Sequence, residues 1–222
     1  MKEKRNLLAG IGLIAVFILW TILVQCVDVQ PVGQNGTNIG FAAFNVRFHQ
    51  LTGENMTLYK ITDWLGIVPI LICVGFAILG LVQLIKRRSI RRVDPDILML
   101  GVYYVVVFLC YLIFEMIPIN YRPVLIEGKL EASYPSSTTL LVLAVLPTLM
   151  LQAFRRAAKP LIRSLSAVFV IAFSAFMVIG RLLSGVHWVT DIIASVILSA
   201  GLFLVYRSAV LRIDRVKPKE TV

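Results

Sequence analysis

Six long apolar segments alternate with short polar stretches along this chain of 222 residues. A helix needs about 20 apolar residues to cross a bilayer. Lipid offers no partner to open backbone polar groups, so helices are the structure that these segments predict. The last three segments are short, and each can extend into its flanking residues. The predicted spans cover residues 7–27, 64–85, 97–114, 138–154, 164–180 and 192–206.

Composition agrees with a membrane protein, because 59% of the residues are hydrophobic and only 15% are charged. Soluble domains carry about a quarter charged residues. The predicted fold class is therefore all-α: a polytopic six-helix bundle that forms a single integral membrane domain over residues 1–222. The first apolar run lacks a small-residue cleavage site and is predicted to be a retained signal anchor. The cysteines, which lie in apolar runs, are expected to be buried hydrophobic residues rather than a disulfide framework or a metal site.

The basic residues predict the orientation. Of the 22 Lys and Arg residues, 17 lie in segments 2–5, 86–92, 155–163 and 207–219, which all fall on one side of the membrane. The positive-inside rule makes this side cytoplasmic and places both termini there. The net charge of +10 therefore indicates membrane topology and contact with anionic headgroups, and no nucleic-acid partner is expected. The predicted location is the cell (cytoplasmic) membrane, as a multi-pass protein.

One polar constellation interrupts the apolar sequence GRLLSGVHWVTDIIAS, residues 180–195. His187 and Asp191 stand at i and i+4, so they share a face of a helix. The aspartate could accept a hydrogen bond from one imidazole nitrogen and leave the other free as a base or nucleophile. Arg181 supplies a guanidinium fork that fits a phosphate or carboxylate. The alternative is that all three only lie among headgroups or cap helices.

A second polar loop lies on the same side, between the third and fourth predicted spans. It begins near Arg122 and ends with Ser136, Ser137 and Thr138, which open the fourth span. A helix that starts after a proline with hydroxyl residues presents free backbone N–H groups, which form an anion site. Simple N-capping is the alternative role for these hydroxyls.

These residues together resemble a known family, the type 2 phosphatidic acid phosphatase superfamily of lipid phosphate phosphatases. Its motifs are K-x6-R-P, P-S-G-H and S-R-x5-H-x3-D. The third corresponds to Gly180-Arg181-x5-His187-x3-Asp191, in which Gly replaces Ser. Arg122-Pro123 matches the end of the first motif and Pro135-Ser136 the start of the second. The resemblance covers roughly residues 60–207.

The resemblance implies a fold of six transmembrane helices and a reaction on a membrane lipid. His187 would attack phosphorus and form a phospho-histidine, and Asp191 would orient the imidazole. Arg122, Arg181 and the Ser136–Thr138 segment would bind the phosphoryl oxygens, and no metal or cofactor is expected. The site would face outward.

Two family positions differ in this chain. Glu115 stands where the family has the lysine of the first motif, and Thr138 where it has the histidine that protonates the leaving group. One explanation is a substrate that needs no acid, because a phosphate leaving group has a second pKa of about 6. This explanation predicts hydrolysis of a prenyl diphosphate, such as undecaprenyl diphosphate, and little hydrolysis of phosphatidic acid.

Two further explanations remain open. Other residues could substitute, with Glu115 or His49 as the acid and Lys129 as the missing lysine. Alternatively, the protein could be a phospholipid-binding or scaffolding relative without turnover, or a small transporter. A transporter is disfavoured because the sequence has no inverted repeat. The retained His187 and Asp191 favour an enzyme.

Overall fold

The computed structural model describes residues 1–216. Within this range the chain forms eight α-helices, in which α3 and α4 follow each other across Gly66. The helices are α1 Lys2–Cys26, α2 Ala42–Thr52, α3 Met56–Leu65, α4 Ile67–Arg87, α5 Pro95–Met116, α6 Ser137–Arg156, α7 Pro160–Leu183 and α8 Val189–Val216.

Within residues 1–216, six helical stretches are long and apolar enough to cross a membrane, which confirms the predicted class and number of spans. They are Lys2–Cys26, Met56–Arg87, Pro95–Met116, Ser137–Arg156, Pro160–Leu183 and Val189–Arg215. Most are longer than the apolar segments because polar residues continue the helix beyond the hydrocarbon region. Lys217 and Lys219, two of the basic residues on the predicted cytoplasmic side, lie outside the described residues.

Helices α6 and α8 are the most buried of the six spans, and α1 lies along α8. The close approach of α1 to α8 depends on two glycines. A Cβ atom at Gly10 would lie 2.9 Å from the carbonyl oxygen of Gly201, and one at Gly201 would lie 3.2 Å from that of Gly10. Small residues allow such close packing between membrane helices, where dispersion replaces the hydrophobic effect.

One end of the bundle, here called the site end, is where α1, α5 and α7 finish and α4, α6 and α8 begin. The α1–α4 connection covers this end. Asn45 of α2 is buried and donates to Thr190 Oγ1 (3.0 Å) at the start of α8. The turn after α7 contacts the α2–α3 turn, since a Cβ at Gly185 (φ +69°) would collide with the carbonyl oxygen of Gly53. These contacts fix α2 and α3 over the polar residues of the site end.

Candidate active site

His187 lies between α7 and α8 and is buried. Its Nδ1 is 3.1 Å from the carbonyl oxygen of Ser133. A carbonyl can only accept, so Nδ1 carries the proton and Nε2 presents a lone pair. Arg181 Nη2 lies 3.3 Å from Nε2. Burial, followed by the positive charges of Arg122 and Arg181, lowers the pKa of His187 well below its ordinary value, so the imidazole is neutral at neutral pH.

The spacing predicts that Asp191 and His187 share a helix face, but His187 precedes α8, which begins at Val189, and the expected hydrogen bond between the two side chains is absent. The Asp191 Oδ2 to His187 Nδ1 distance is 3.9 Å. The carboxylate instead accepts the backbone N–H of Trp188 (3.0 Å) and the side-chain amide of Asn120 (3.3 Å). Asp191 is the third residue of α8, from which a carboxylate can reach back to cap the helix start. The Ser133 carbonyl therefore orients the imidazole by contact, and the Asp191 carboxyl group lies nearby without a hydrogen bond to the ring.

Arg181 ends α7 and is 1% exposed. Its Nη1 lies 3.5 Å from Asp63 Oδ1, and its guanidinium carbon lies 5.0 Å from the ring centroid of Tyr59. Its Nε is buried without a hydrogen-bond partner. The two ends of the guanidinium fork thus face Asp63 and His187.

Arg122 approaches the same tyrosine from the loop between α5 and α6, and its guanidinium carbon lies 5.7 Å from the Tyr59 centroid. Its Nε is 3.2 Å from Glu131 Oε2, but without hydrogen-bond geometry, and its Nη1 is buried without a partner. Buried donors are rarely left unpaired. Two buried guanidinium groups thus lie against the ring of Tyr59, and each has a donor without a partner. Such a pair suits an anion.

The hydroxyls at the start of α6 divide into two groups. Ser136 is fully buried, and its Oγ donates to Thr139 Oγ1 (3.1 Å) instead of capping the helix backbone. Ser137 and Thr138 are half-buried. Both line an apolar groove at this end of the bundle, whereas the Ser136 hydroxyl is already satisfied within the protein.

Two cavities meet at the site end. A polar cavity of about 560 Å³ is lined by residues that include Tyr59, Asp63, Glu115, Arg122 and Glu131. The apolar groove, of about 910 Å³, runs between α4, α5 and α6. The two share three lining residues, Asp63, Tyr111 and Ser137. A charged headgroup and an apolar chain could therefore occupy adjoining spaces, as a lipid requires.

The three accessory candidates lie at different distances from this centre. Glu115 is exposed at the end of α5 and lines both the polar cavity and a small cleft that reaches His187. Lys129 is exposed in a turn, where its backbone pairs with Ile126. His49 Nε2 donates to the Gly185 carbonyl (3.0 Å), so this side chain tethers α2 to the α7–α8 turn.

Sequence reasoning missed Tyr59 and Asp63. Both lie on α3, and Asp63 is 118 positions from Arg181 along the chain. The only sequence signal was a charged residue next to the second apolar segment. Their proximity to the arginines is produced by packing of α3 on α7, where a Cβ at Gly180 would lie 2.7 Å from Thr62 Cγ2.

Comparisons with known proteins show the family and the fold of this chain. The model of the PAP2 superfamily matches residues 69–215. No curated protein matches the chain. A crystal structure described as the first transmembrane PAP2-type phosphatidylglycerolphosphate phosphatase from Bacillus subtilis is similar, with a TM-score of 0.63 and 14% identity. The similarity covers 95% of this chain and 98% of that one, and at this identity it shows the fold alone. The chain belongs to the PAP2 superfamily and has the fold of a transmembrane PAP2-type phosphatase.

Proposed function

We propose that this protein hydrolyses a lipid phosphate or lipid diphosphate through a phospho-histidine at His187. The observation that carries the proposal is the neutral imidazole whose Nε2 lone pair lies 3.3 Å from Arg181 Nη2. Arg122, with its unused donor Nη1, approaches the same centre. A nucleophile beside two guanidinium groups is the arrangement that phosphoryl transfer needs.

In the proposed reaction, Arg122 and Arg181 bind the phosphoryl oxygens, and His187 Nε2 attacks phosphorus as the bond from phosphorus to the leaving oxygen breaks. The leaving group departs as a lipid alcohol or, from a lipid diphosphate, as a lipid monophosphate. The phosphorylated ring becomes cationic, with its proton still on Nδ1. Asp191, 3.9 Å from Nδ1, stabilises that charge. Water then attacks phosphorus and releases inorganic phosphate. The preorganised positive charges stabilise the phosphoryl oxygens as charge spreads over them.

The apolar groove supports a lipid as the substrate, because it opens into the polar cavity at Asp63 and Ser137. Thr138 offers no acidic proton at the position where the family has a histidine. A prenyl diphosphate, such as undecaprenyl diphosphate, is therefore the candidate whose leaving group depends least on an acid.

The basic residues support an outward-facing site with both termini in the cytoplasm. Lys129→Cys, in a background without the native cysteines, should react with a membrane-impermeant maleimide in intact cells. Arg212→Cys, near the other end of the bundle, should react only after the membrane is permeabilised. The reverse pattern would place the site on the cytoplasmic face.

The test of activity is phosphate release from phosphatidic acid, phosphatidylglycerol phosphate and a prenyl diphosphate in detergent micelles. His187→Ala is the blank. Wild type should release phosphate from at least one lipid, and the variant from none. Equal release by the two proteins on every lipid would favour a binding or scaffolding role.

A further inference from the structure

The proposed reaction leaves one proton without a source, and any donor assigned to it rests on the proposed function. When a lipid monophosphate is cleaved, the departing lipid oxygen would leave as an alkoxide, whose conjugate acid is about as weak as water, with a pKa near 16. Such a leaving group needs a proton donor within hydrogen-bond reach. Thr138 cannot supply that proton.

The departing oxygen joins the phosphoryl group to the lipid chain. In the proposed reaction the phosphoryl group lies at Arg122, which lines the polar cavity, and at His187 and Arg181, which line neither space, while the chain lies in the apolar groove. Among the described residues, Asp63, Tyr111 and Ser137 line both spaces. Of these three residues, only Asp63 contacts an arginine that is proposed to bind phosphate: its Oδ1 lies 3.5 Å from Arg181 Nη1.

The backbone places Asp63 beside the position of the missing family histidine. A Cβ atom at Gly66 would lie 2.8 Å from the Asp63 carbonyl oxygen and 3.5 Å from Thr138 Cγ2. The end of α3 therefore meets the first turn of α6. The Asp63 side chain is 54% exposed, so it can exchange protons with water.

The fork of Arg181 provides the alignment. Its Nη2 faces His187 Nε2 at 3.3 Å, and its Nη1 faces Asp63 Oδ1 at 3.5 Å. A phosphoryl group bound to this fork has the nucleophile on one side and the carboxyl group on the other. Phosphoryl transfer requires the attacking and leaving atoms to lie roughly in line through phosphorus.

We propose that Asp63 is the general acid of this enzyme and replaces the family histidine from a different helix. His187 Nε2 forms a bond to phosphorus as the bond from phosphorus to the lipid oxygen breaks. The electron pair of the broken bond goes to that oxygen, which takes the proton of the Asp63 carboxyl group and leaves as a lipid alcohol. The Asp63 carboxylate then removes a proton from the attacking water, and the phosphorus–nitrogen bond breaks to give inorganic phosphate. Asp63 is protonated again and His187 is neutral.

The experiment compares two leaving groups in Asp63→Asn. Decyl phosphate has an alkoxide leaving group, and farnesyl diphosphate, cleaved at its terminal phosphate, has a phosphate. Loss of an acid should lower kcat/KM for decyl phosphate by roughly 10²–10⁴-fold. The value for farnesyl diphosphate should fall by less than about tenfold, because this leaving group hardly needs a proton. Glu115→Gln and Tyr111→Phe are matched controls from the same cavity, and each should leave the ratio of the two rates within about twofold of wild type.

Each other outcome overturns the assignment. Equal losses on both substrates would make Asp63 a residue that positions Arg181, and unchanged rates would exclude it from the reaction. A changed ratio in Glu115→Gln or Tyr111→Phe instead would assign the acid to that residue. If wild type cleaves only the diphosphate, no acid operates and the proposed function still stands. If His187→Ala matches wild type on every lipid phosphate, the proposed function itself fails.

Discussion

At the residue scale, the imidazole of His187 is buried and neutral, which suits the nucleophile of the proposed reaction. Its Nδ1 proton is bound by the Ser133 carbonyl, and its Nε2 lone pair faces Arg181. Burial and the charges of Arg122 and Arg181 oppose a second proton. The ring therefore stays available for attack at pH values at which an exposed histidine becomes protonated.

This environment predicts the acid limb of the pH–rate profile. Because the pKa of His187 is lowered below 6.5, protonation should stop the reaction only at a pH below that value. The profile of kcat/KM reports the groups of the free enzyme. We expect kcat/KM for farnesyl diphosphate to show no histidine-dependent fall between pH 7.5 and 6.5. An acid limb centred at or above pH 6.5 would contradict the neutral, buried imidazole.

Arg181→Lys tests the guanidinium fork. A lysine keeps the charge but offers a single point in place of the planar fork that spans Asp63 and His187. Loss of one donor to the transition state costs roughly 10²–10³ in kcat. We expect a loss of that size for phosphate release. Arg212→Lys, at an exposed position of α8, should match wild type, and equal activity of the two variants would exclude the fork from the reaction.

The candidate site shows what a sequence can give at this scale. Arg181, His187 and Asp191 were predictable as neighbours because they lie close together along the chain. The hydrogen bond from His187 to Ser133 was not, because the acceptor is a backbone carbonyl 54 positions away. Every residue has a backbone carbonyl, so the residue type does not indicate which carbonyl accepts a hydrogen bond.

At the element scale, the contact of α3 with α7 brings Tyr59 and Asp63 to the arginines. Gly180, which stands where the family has serine, makes that contact possible. A Cβ atom there would lie 2.7 Å from Thr62 Cγ2, too close for the present packing. A serine at position 180 would carry the same Cβ atom and would not fit the present packing of α3 on α7.

Gly180→Ala should therefore separate α3 from α7 and weaken the contact between Asp63 and Arg181. Misplacement of a catalytic group by about 1 Å can cost about 10²-fold in rate, so we expect a loss of roughly tenfold or more. Overpacking also costs about 1–3 kcal/mol. The second change Thr62→Ser removes the colliding methyl and keeps the hydroxyl that donates to Leu58. The double variant should regain activity and Tm, and no recovery would show that another contact holds α3.

At the scale of the whole molecule, the fold class could be predicted because six apolar runs determine the number of helical membrane spans and the distribution of charge predicts their orientation. Their mutual arrangement could not. The opposite end of the bundle illustrates this, because an ion-pair network there joins α4, the α4–α5 connection, α5 and α6. Asp94 pairs with Arg87 (2.7 Å) and Arg156 (2.9 Å), and Asp96 pairs with Arg156 (2.7 Å). In the sequence, the same arginines indicate only orientation.

This network predicts how stability depends on pH. Burial alone would raise the pKa of Asp94, but hydrogen bonds from Arg87, Arg156 and Gln83 outweigh it and lower that pKa from 3.8 to about 2. A carboxyl group with a depressed pKa stabilises the fold above its unfolded pKa, and this stability is lost as the pH falls through the folded pKa. Asp94→Asn should thus lower Tm at pH 7 by about 2–4 °C, the shift expected for roughly 1 kcal/mol in a chain of this size.

The difference in Tm between wild type and Asp94→Asn should shrink as the pH falls from about 4 towards 2, because protonation removes the same charge from wild type. Thermal unfolding in detergent at pH 7, 4, 3 and 2 measures it. Glu54→Gln is the matched control: this exposed side chain lies in the α2–α3 turn at the site end, away from any arginine of the network, and its replacement should leave Tm close to wild type at every pH. A difference for Asp94→Asn that stays constant down to pH 2 would mean that shape and hydrogen bonding, not charge, hold the connection between α4 and α5 against α6.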